Sequence, residues 1–417
     1  MKLFYFLSMI IPLNFISGWV FLDSLTVHPV KIFLTVFIFT LLLSLNLLVL
    51  ALAIKAGYVA FPVILGVVFF ISGYLINTKI FLSSQDTRVV GEISRKSDGK
   101  KGHTAIVYFT HGEPETYNPI GWLNQFREFD EQGVRFIPFF ARPAFIYMLR
   151  KKYLEVGKSN HRQGHIQMLG KLEDSFRQEG DSTTRFYISF LDDYPHPDSA
   201  VVQALNEGAD RIVVSTVFLT MSNHTAEGRK LVDKLDCKNK YGVDIKFTEP
   251  LWNSETLMRA FIDKVYKHIG NTPKEKVAVA LIGHGQPNEW DKEWPTLTEQ
   301  EISFREGIIE LLVKEGFRRE NLGNAWMEFK DPKPYDLMQN FVNNGVEKVF
   351  YFASSISADA IHSQSDIPEL VNKYPFPGNI EVINLGAWNA HPLVIKAIRE
   401  RIDIRLSEMD STKKEAN

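Results

Sequence analysis

The chain has 417 residues, of which 45% are apolar and 12% are aromatic. This composition excludes a disordered or low-complexity protein. The single cysteine, Cys237, excludes a disulfide scaffold and a structural zinc site built from cysteines. The formal net charge of −2 is far from the basic balance of a nucleic-acid binder, so we expect no nucleic-acid partner.

The first 80 residues differ sharply in composition from the rest. The charged residues among them are Lys2, Asp23, Lys31, Lys55 and Lys79. Three apolar stretches, 3–22, 32–54 and about 56–78, are each long enough to cross a hydrocarbon core of ~30 Å as a helix. We therefore predict a membrane segment of three helices over 1–80, which makes the lipid bilayer a partner, and a solvated linker over 81–103.

The first apolar stretch could instead be a cleaved signal peptide. Its single basic residue, Pro12 within the apolar run and the lack of an A-x-A-like site favour a retained span. Lys2 and Lys55 lie on one side of the predicted membrane. The basic residues on the other side are Lys31, Lys79, Arg88, Arg95 and Lys96. This excess predicts a multi-pass protein whose C-terminal domain lies in the cytoplasm.

From residue 104 onward, short apolar runs alternate with longer helical patterns, which is typical of a mostly parallel sheet covered by helices. The predicted strands are 104–110, 134–139, 185–190, 211–219, 244–248, 277–283, 347–353 and 380–385. The predicted helices are 145–156, 163–179, 197–207, 225–235, 254–269, 297–316, 334–344, 366–373 and 392–406. The predicted fold class is doubly wound α/β.

The soluble part contains an internal repeat. IVYFTHGEP (106–114) resembles AVALIGHGQP (278–287), and EGADRIVV (207–214) resembles NGVEKVFY (344–351). A repeat of this length predicts two similar units facing each other. We therefore predict two similar, mostly parallel α/β lobes, an N-terminal lobe over 104–271 and a C-terminal lobe over 272–417.

Four histidines follow predicted strands of these lobes. His111 and His284 each end an apolar strand and precede a glycine, and His224 and His362 follow the next apolar strands of their lobes. The carboxyl ends of parallel strands line the ligand crevice of an open α/β sheet. Any one of these histidines is more often a surface residue or a residue bonded to a carbonyl. Their convergence from four strand ends favours a functional site.

Common hydrolase and nucleotide motifs are absent from the sequence. It contains no H-E-x-x-H, no G-x-x-x-x-G-K-[ST] and no G-x-S-x-G, and the T-H-G-E-P turn has too few glycines to cradle a pyrophosphate. Asn223-His224-Thr225 fits the glycosylation pattern, but a cytoplasmic domain would not meet that machinery. A membrane permease is disfavoured, because none of the three spans carries an ionisable residue near its middle.

The motifs together resemble the class II tetrapyrrole metal chelatases, which comprise ferrochelatases and the sirohydrochlorin cobalt- and iron-chelatases. ADAIHSQSDIPELV (358–371), VALIGHGQP (279–287) and LGAWNAHPLVIKAIRERI (385–402) are similar to elements of the cobaltochelatase branch. VFLTMSNHT (217–225) is similar to its F-L-x-x-x-G-H element with the glycines replaced. Residues 145–175 are instead similar to the ferrochelatase lip and its following helix.

The chain departs from the family pattern in three respects. Thr220 and Met221 occupy the neighbourhood where ferrochelatases place a catalytic histidine, and the nearest histidine is His224. Ferrochelatases carry a glutamate near the position of His362. The membrane segment belongs to neither branch.

The resemblance implies insertion of Fe²⁺ or Co²⁺ into a tetrapyrrole, with no cofactor beyond this substrate metal. The alternative is a non-catalytic, membrane-tethered module that binds or senses a tetrapyrrole or metal.

Neutral imidazole suits this chemistry, because it binds borderline divalent ions and is mostly unprotonated at neutral pH. We expect His284 and His362 to take the metal and the protons, with His224 as a further metal ligand and His111 on the substrate side. The candidate partners that orient imidazoles or pass protons are Glu113, Asp359 and Asp366. Each of these acids could equally be a helix cap or a solvated turn residue.

A macrocycle also needs an apolar slot with a cationic rim for its carboxylates. FIPFFARPAFIYMLRKKY (136–153) offers apolar faces interrupted by basic residues. Guanidinium groups bind carboxylates through two parallel bonds, so we expect Arg142 and Arg150 to bind substrate. The competing interpretation is an amphipathic helix packed on its own lobe with a solvated basic face.

Overall fold

The computed structural model describes residues 2–55, 57, 60–84, 90–95, 102–131 and 137–415. The chain divides into two compact units, each made of two chain segments. The first unit comprises Met1–Thr87 and Thr116–Lys158, and the second comprises Arg88–Glu115 and Ser159–Asn417.

The first unit begins with three long helices, α1 (Lys2–Thr26), α2 (Ile32–Lys55) and α3 (Ala60–Leu82). Each is long and apolar enough to cross a membrane. Helices α1 and α3 pack closely. A Cβ atom added at Gly18 would lie only 1.9 Å from the Phe70 carbonyl oxygen. Small residues allow this close approach between apolar helices. The prediction of three long apolar N-terminal helices is confirmed.

The remainder of the first unit contains α4 (Pro119–Glu131), a 3₁₀ turn (Phe139–Ala141) and α5 (Arg142–Val156). The strand predicted at 134–139 is wrong over its described part, where Pro138 leads into the 3₁₀ turn. Residues 134–136 lie outside the described part of the chain. An apolar run alone did not distinguish a strand from the approach to a helix.

The second unit contains two four-stranded parallel sheets. The strands of the first sheet are β1 (His103–Thr110), β2 (Arg185–Phe190), β3 (Ala209–Thr216) and β4 (Asp244–Phe247). The strands of the second are β5 (Val277–Gly283), β6 (Leu322–Trp326), β7 (Lys348–Ala353) and β8 (Glu381–Gly386). The order is β2-β1-β3-β4 in one sheet and β6-β5-β7-β8 in the other, so both lobes have the same topology. The predicted fold of two similar α/β lobes is confirmed.

Helices connect and cover these strands. They are α6 (His161–Gln178), α7 (Pro197–Asn206), α8 (Asn223–Asp233), α9 (Cys237–Tyr241), α10 (Glu255–Ile269), α11 (Asn288–Glu293), α12 (Pro295–Lys314), α13 (Pro334–Asn343), α14 (Ile367–Asn372) and α15 (Pro392–Glu415). One hydrophobic cluster includes Val213 of the first sheet, Phe261 of α10 and Phe352 of the second sheet. The two lobes therefore share a core, which fixes the two sheets relative to each other.

Candidate functional site

His111 and His284 occupy equivalent positions, directly after the inner strands β1 and β5 of their sheets. The next residue in each lobe, Gly112 or Gly285, has a positive φ of 92° or 83° and turns the chain at the strand end. The Nδ1 atom of His111 lies 2.8 Å from the Gly112 carbonyl oxygen, and that of His284 lies 2.7 Å from the Gly285 carbonyl oxygen. Because a carbonyl only accepts, Nδ1 carries the hydrogen and Nε2 keeps its lone pair in the neutral ring.

His224 lies beside His111, with the two ring centroids 4.7 Å apart. It is the second residue of α8, whose start is fixed by a capping box between Ser222 and Thr225. Asp192 joins this pair, with its carboxylate 3.4 Å from Nδ1 of His111. Among the described residues, His111, Asp192 and His224 each offer a ligand atom within 4.8 Å of the others, a grouping that could hold a metal ion.

His362 lies beside His284, with ring centroids 5.1 Å apart. It begins a π-helical turn, His362–Asp366, that leads directly into α14. The Nδ1 atom of His362 donates to the Asp366 carboxylate at 2.7 Å. This bond orients the ring and leaves the Nε2 lone pair available, as second partners do for metal-binding histidines.

The loop just before α8 is hydrogen-bonded to the C-terminal lobe. The Met221 amide donates to the Gln300 side chain at 2.8 Å, and the Thr296 hydroxyl donates to the Met221 carbonyl at 3.1 Å. Burial lowers the pKa of His224 well below its ordinary value, and repulsion from His111 and His284 would lower it further whenever those rings are protonated. His224 therefore lies within electrostatic reach of a histidine from each lobe and is neutral at pH 7.

The backbone of His284 rests on a buried polar group. Its amide donates to Glu301 Oε1 at 3.1 Å and to the Ser355 hydroxyl at 3.0 Å. Glu301 is 2% exposed, and the fully buried Arg305 guanidinium lies 3.9 Å from the centroid of the Trp326 ring. This arrangement holds the strand end that presents His284 in one position.

The three predicted acids have different partners. Asp366 contacts His362, as described above. The buried Glu113 accepts from the Ile361 amide at 3.0 Å, next to His362, and burial raises the pKa of this carboxyl. Asp359 accepts from the Ala387 amide at 2.9 Å and from the Asn389 and Ser363 side chains. Its carboxylate therefore orders the loop that precedes α15.

The two predicted substrate-binding arginines lie in the first unit. Arg142 donates to the Asp130 carboxylate at 2.7 Å, and Arg150 donates to the carbonyl oxygens of Ser24 and Val27 at 2.8 and 3.2 Å. Both guanidinium groups thus have partners within that unit. Their binding of substrate carboxylates remains a prediction.

Two further buried histidines were missed by the sequence reasoning. His161 and His165 lie four residues apart on α6, with ring centroids 4.5 Å apart. His165 contacts the Tyr108 hydroxyl at 2.8 Å on one ring nitrogen and the Ser357 hydroxyl at 3.1 Å on the other. Burial lowers the pKa of His165 to about 3. The spacing in H-R-Q-G-H was a usable signal for this pair, whereas nothing in the local sequence singled out Asp192.

Comparison with known proteins gives no matching family model and no match among curated proteins. Among solved structures, SirB from Bacillus subtilis with Fe³⁺ shares 17% identity at a TM-score of 0.45, over 72% of this chain and 94% of SirB. A second structure, described as the sirohydrochlorin chelatase SirB from Bacillus subtilis subspecies spizizenii in complex with cobalt, shares 14% identity at a TM-score of 0.42, with the same coverage.

DR2241 from Deinococcus radiodurans, described as a multi-domain protein with structural similarity to chelatases, shares 11% identity at a TM-score of 0.45. The match covers 72% of this chain and 54% of DR2241. At these identities and TM-scores, none of the three structures assigns a role to any residue of this chain.

Proposed function

We propose that this chain is a membrane-anchored chelatase that inserts a divalent metal, Fe²⁺ or Co²⁺, into a tetrapyrrole. The observation that carries the proposal is the arrangement of two imidazole pairs at the carboxyl ends of two equivalent sheets. The ring centroids are 4.7 Å apart in the pair His111 and His224, and 5.1 Å apart in the pair His284 and His362. Hydrogen bonds from Nδ1 leave Nε2 as the lone-pair atom on three of the four rings.

Metal insertion replaces protein ligands on the ion with pyrrole nitrogens and releases two protons from the macrocycle. A protein suited to this exchange needs ligands that hold a divalent ion weakly and bases that take up protons near pH 7. Neutral imidazole meets both needs. We propose that His284 and His362 take the metal and the protons, while His224 and His111 form the opposite wall and share the incoming ion.

Two acidic residues, Asp366 and Glu113, support these roles of the histidines. Asp366 orients His362 and would stabilise the positive charge on that ring after it accepts a proton. Glu113 binds the backbone just before His362 and lies close enough to His111 for that ring's charge to affect its pKa. The site residues therefore include acids that can balance two protonated imidazoles.

The three apolar helices give the proposal a location. We propose that they anchor the chain in the membrane with the second unit, which carries the four histidines and is called the catalytic unit below, in the cytoplasm, as the distribution of basic residues predicts. Porphyrins are poorly soluble, and a membrane anchor would keep the catalytic unit near a macrocycle that enters or leaves through the bilayer. A polycarboxylated sirohydrochlorin would gain less from this arrangement.

The test uses the full chain purified in detergent. Porphyrin or sirohydrochlorin is mixed with Fe²⁺ or Co²⁺, and loss of the free-base absorption bands is followed. We expect insertion with at least one combination, and a large loss of rate in His284→Ala and His362→Ala but not in His268→Ala, which alters an exposed histidine of α10. Tight tetrapyrrole binding without insertion would contradict catalysis and indicate the binding module instead.

A further inference from the structure

The start of α5 and the turn before it expose a row of large apolar side chains. Their exposed fractions are 40% for Phe139, 59% for Phe140, 40% for Tyr147 and 58% for Met148. The opposite face of α5 is buried within the first unit through Ile146, Leu149 and Tyr153. Single exposed apolar residues are ordinary, but a continuous row indicates a contact surface.

One end of this row is attached to the side of a predicted membrane helix. The Tyr74 hydroxyl in α3 donates to the Phe140 carbonyl at 2.7 Å. Tyr74 lies eight residues before Leu82, where α3 ends, which corresponds to ~12 Å along the helix. The Phe139–Phe140 turn therefore lies beside the body of α3, below its final turns.

The other end of the row is attached where α1 ends. Arg150 donates to the carbonyl oxygens of Ser24 and Val27, and α1 ends at Thr26. Arg150 lies eight residues after Arg142, where α5 begins, which corresponds to ~12 Å of helix. Helices α1 and α3 are joined by a single intervening helix, so their carboxyl ends lie on the same side. The first half of α5 therefore runs alongside the last turns of both.

The composition of those last turns identifies the membrane layer at this level. They contain the aromatic residues Trp19 and Tyr74, and Asn77 donates to the Asp23 carboxylate at 2.9 Å. Lys79 lies two residues beyond Asn77. Tyrosine and tryptophan collect at the membrane interface, and ionisable side chains are costly deeper in the hydrocarbon. This level is therefore the headgroup region and the outermost acyl chains.

We propose that the apolar row, Phe139, Phe140, Tyr147 and Met148, is a fourth membrane-contacting element, seated in the interfacial layer of the leaflet where α1 and α3 end. The bilayer is the occupant that the geometry favours, since the row is continuous with the flank of α3. Lys151 follows the row with its side chain 66% exposed; it pairs with Glu155 at 3.5 Å, and this polar end of the row suits the headgroup layer. This surface lies outside the three predicted spans and gives part of 136–153 a role other than a macrocycle slot.

Spin-label accessibility tests the proposal in the full chain reconstituted into nanodiscs. The background carries Cys237→Ala, and single labels are placed at Phe140→Cys and Met148→Cys. A label at Leu41→Cys, in the middle of α2, reports whether the spans enter the bilayer. A label at Val313→Cys, an exposed apolar residue of α12 in the second unit, reports an aqueous surface.

We expect the ratio of oxygen to water-soluble nickel accessibility at positions 140 and 148 to be several-fold higher than at 313 and lower than at 41. Ratios at 140 and 148 equal to that at 313, with 41 in lipid, would overturn the proposal. Dipolar broadening between labels at 140 with a low oxygen ratio would also overturn it, because a second copy of the chain would then cover the row. An aqueous ratio at position 41 would overturn both this proposal and the proposed membrane anchor. The proposed chelatase activity would still stand, because the insertion assay tests it separately.

Discussion

The Nδ1 atom of His362 lies 2.7 Å from the Asp366 carboxylate, within a single π-helical turn. Asp366→Asn would weaken this bond and allow the other tautomer, in which Nε2 loses its lone pair. We expect metal insertion to fall by ~10–100-fold, the usual effect of removing such a partner. The control is Glu369→Gln, an exposed acid on the adjoining helix α14. Equal rates in Asp366→Asn and the unaltered chain would show that Asp366 does not orient the ring.

The group His111, Asp192 and His224 predicts a measurable ion site without any tetrapyrrole. Co²⁺ titration of the full chain, followed by visible absorption, should show weakening by more than ~10-fold in His224→Ala. Asp192→Asn should have a smaller effect. The Asp192 carboxylate lies 3.4 Å from Nδ1 of His111, and that Nδ1 is already hydrogen-bonded to the Gly112 carbonyl oxygen. Asp233→Asn, an exposed residue of the same helix as His224, is the control. Unchanged affinity in His224→Ala would remove this histidine from the metal ligands.

Stability should depend on pH through the buried histidines. Burial lowers the pKa of His165 to about 3 and lowers that of His161 well below its ordinary value. Below pH 6.5 the unfolded chain therefore binds more protons than the folded chain, and the free energy of unfolding falls as the pH falls. Glu113 acts in the opposite direction, because its raised pKa favours proton uptake by the folded chain.

His165→Gln removes one of these acid-sensitive groups. We expect the loss of unfolding free energy between pH 7 and pH 5 to be smaller by about 2 kcal/mol than in the unaltered chain. Thermal unfolding in detergent at a series of pH values measures this slope independently of any constant loss from the missing contacts. His268→Gln, at an exposed position, should leave the slope unchanged. The same slope in His165→Gln would show that this ring does not titrate on unfolding.

Apolar pattern was sufficient to predict the central strands and the repeated architecture. The predicted and observed bounds agree at 185–190 and 277–283, because buried parallel strands are continuous runs of apolar and β-branched residues. Strand β6 (Leu322–Trp326) was missed, since its sequence LGNAW contains glycine and asparagine and has no β-branched residue. Pairing with β5 makes it a strand, and that pairing is not visible in a short local window.

The four strand-end histidines were found from the sequence because parallel strands present their carboxyl ends at one edge. The partners of these histidines were harder to find. Asp366 was within one turn of His362, whereas Asp192 reaches His111 from the loop after another strand. The partners of Arg150 are backbone carbonyls more than 100 residues away in the chain. Contacts of this kind depend on tertiary packing, which local patterns do not encode.

Gly283 offers a test of the support beneath His284. A Cβ atom at this position would lie 2.1 Å from Glu301 Oε1, the oxygen that accepts from the His284 amide. Gly283→Ala should therefore displace the carboxylate or the strand end, with a loss of stability of about 1–3 kcal/mol. The His284 side chain would move with its amide. We therefore expect the rate of metal insertion to fall by more than the loss of folded protein accounts for.

The matched control is Gly378→Ala, where an added Cβ atom meets nothing within 4 Å. Thermal unfolding of the two variants is compared first. Their insertion rates are then measured at a temperature where both remain folded. A loss of insertion in Gly283→Ala with normal Co²⁺ binding at His111 and His224 would place the defect at His284. If Gly283→Ala is destabilised but inserts metal at the full rate, the buried Glu301 supports the fold of the C-terminal lobe without positioning His284 for catalysis.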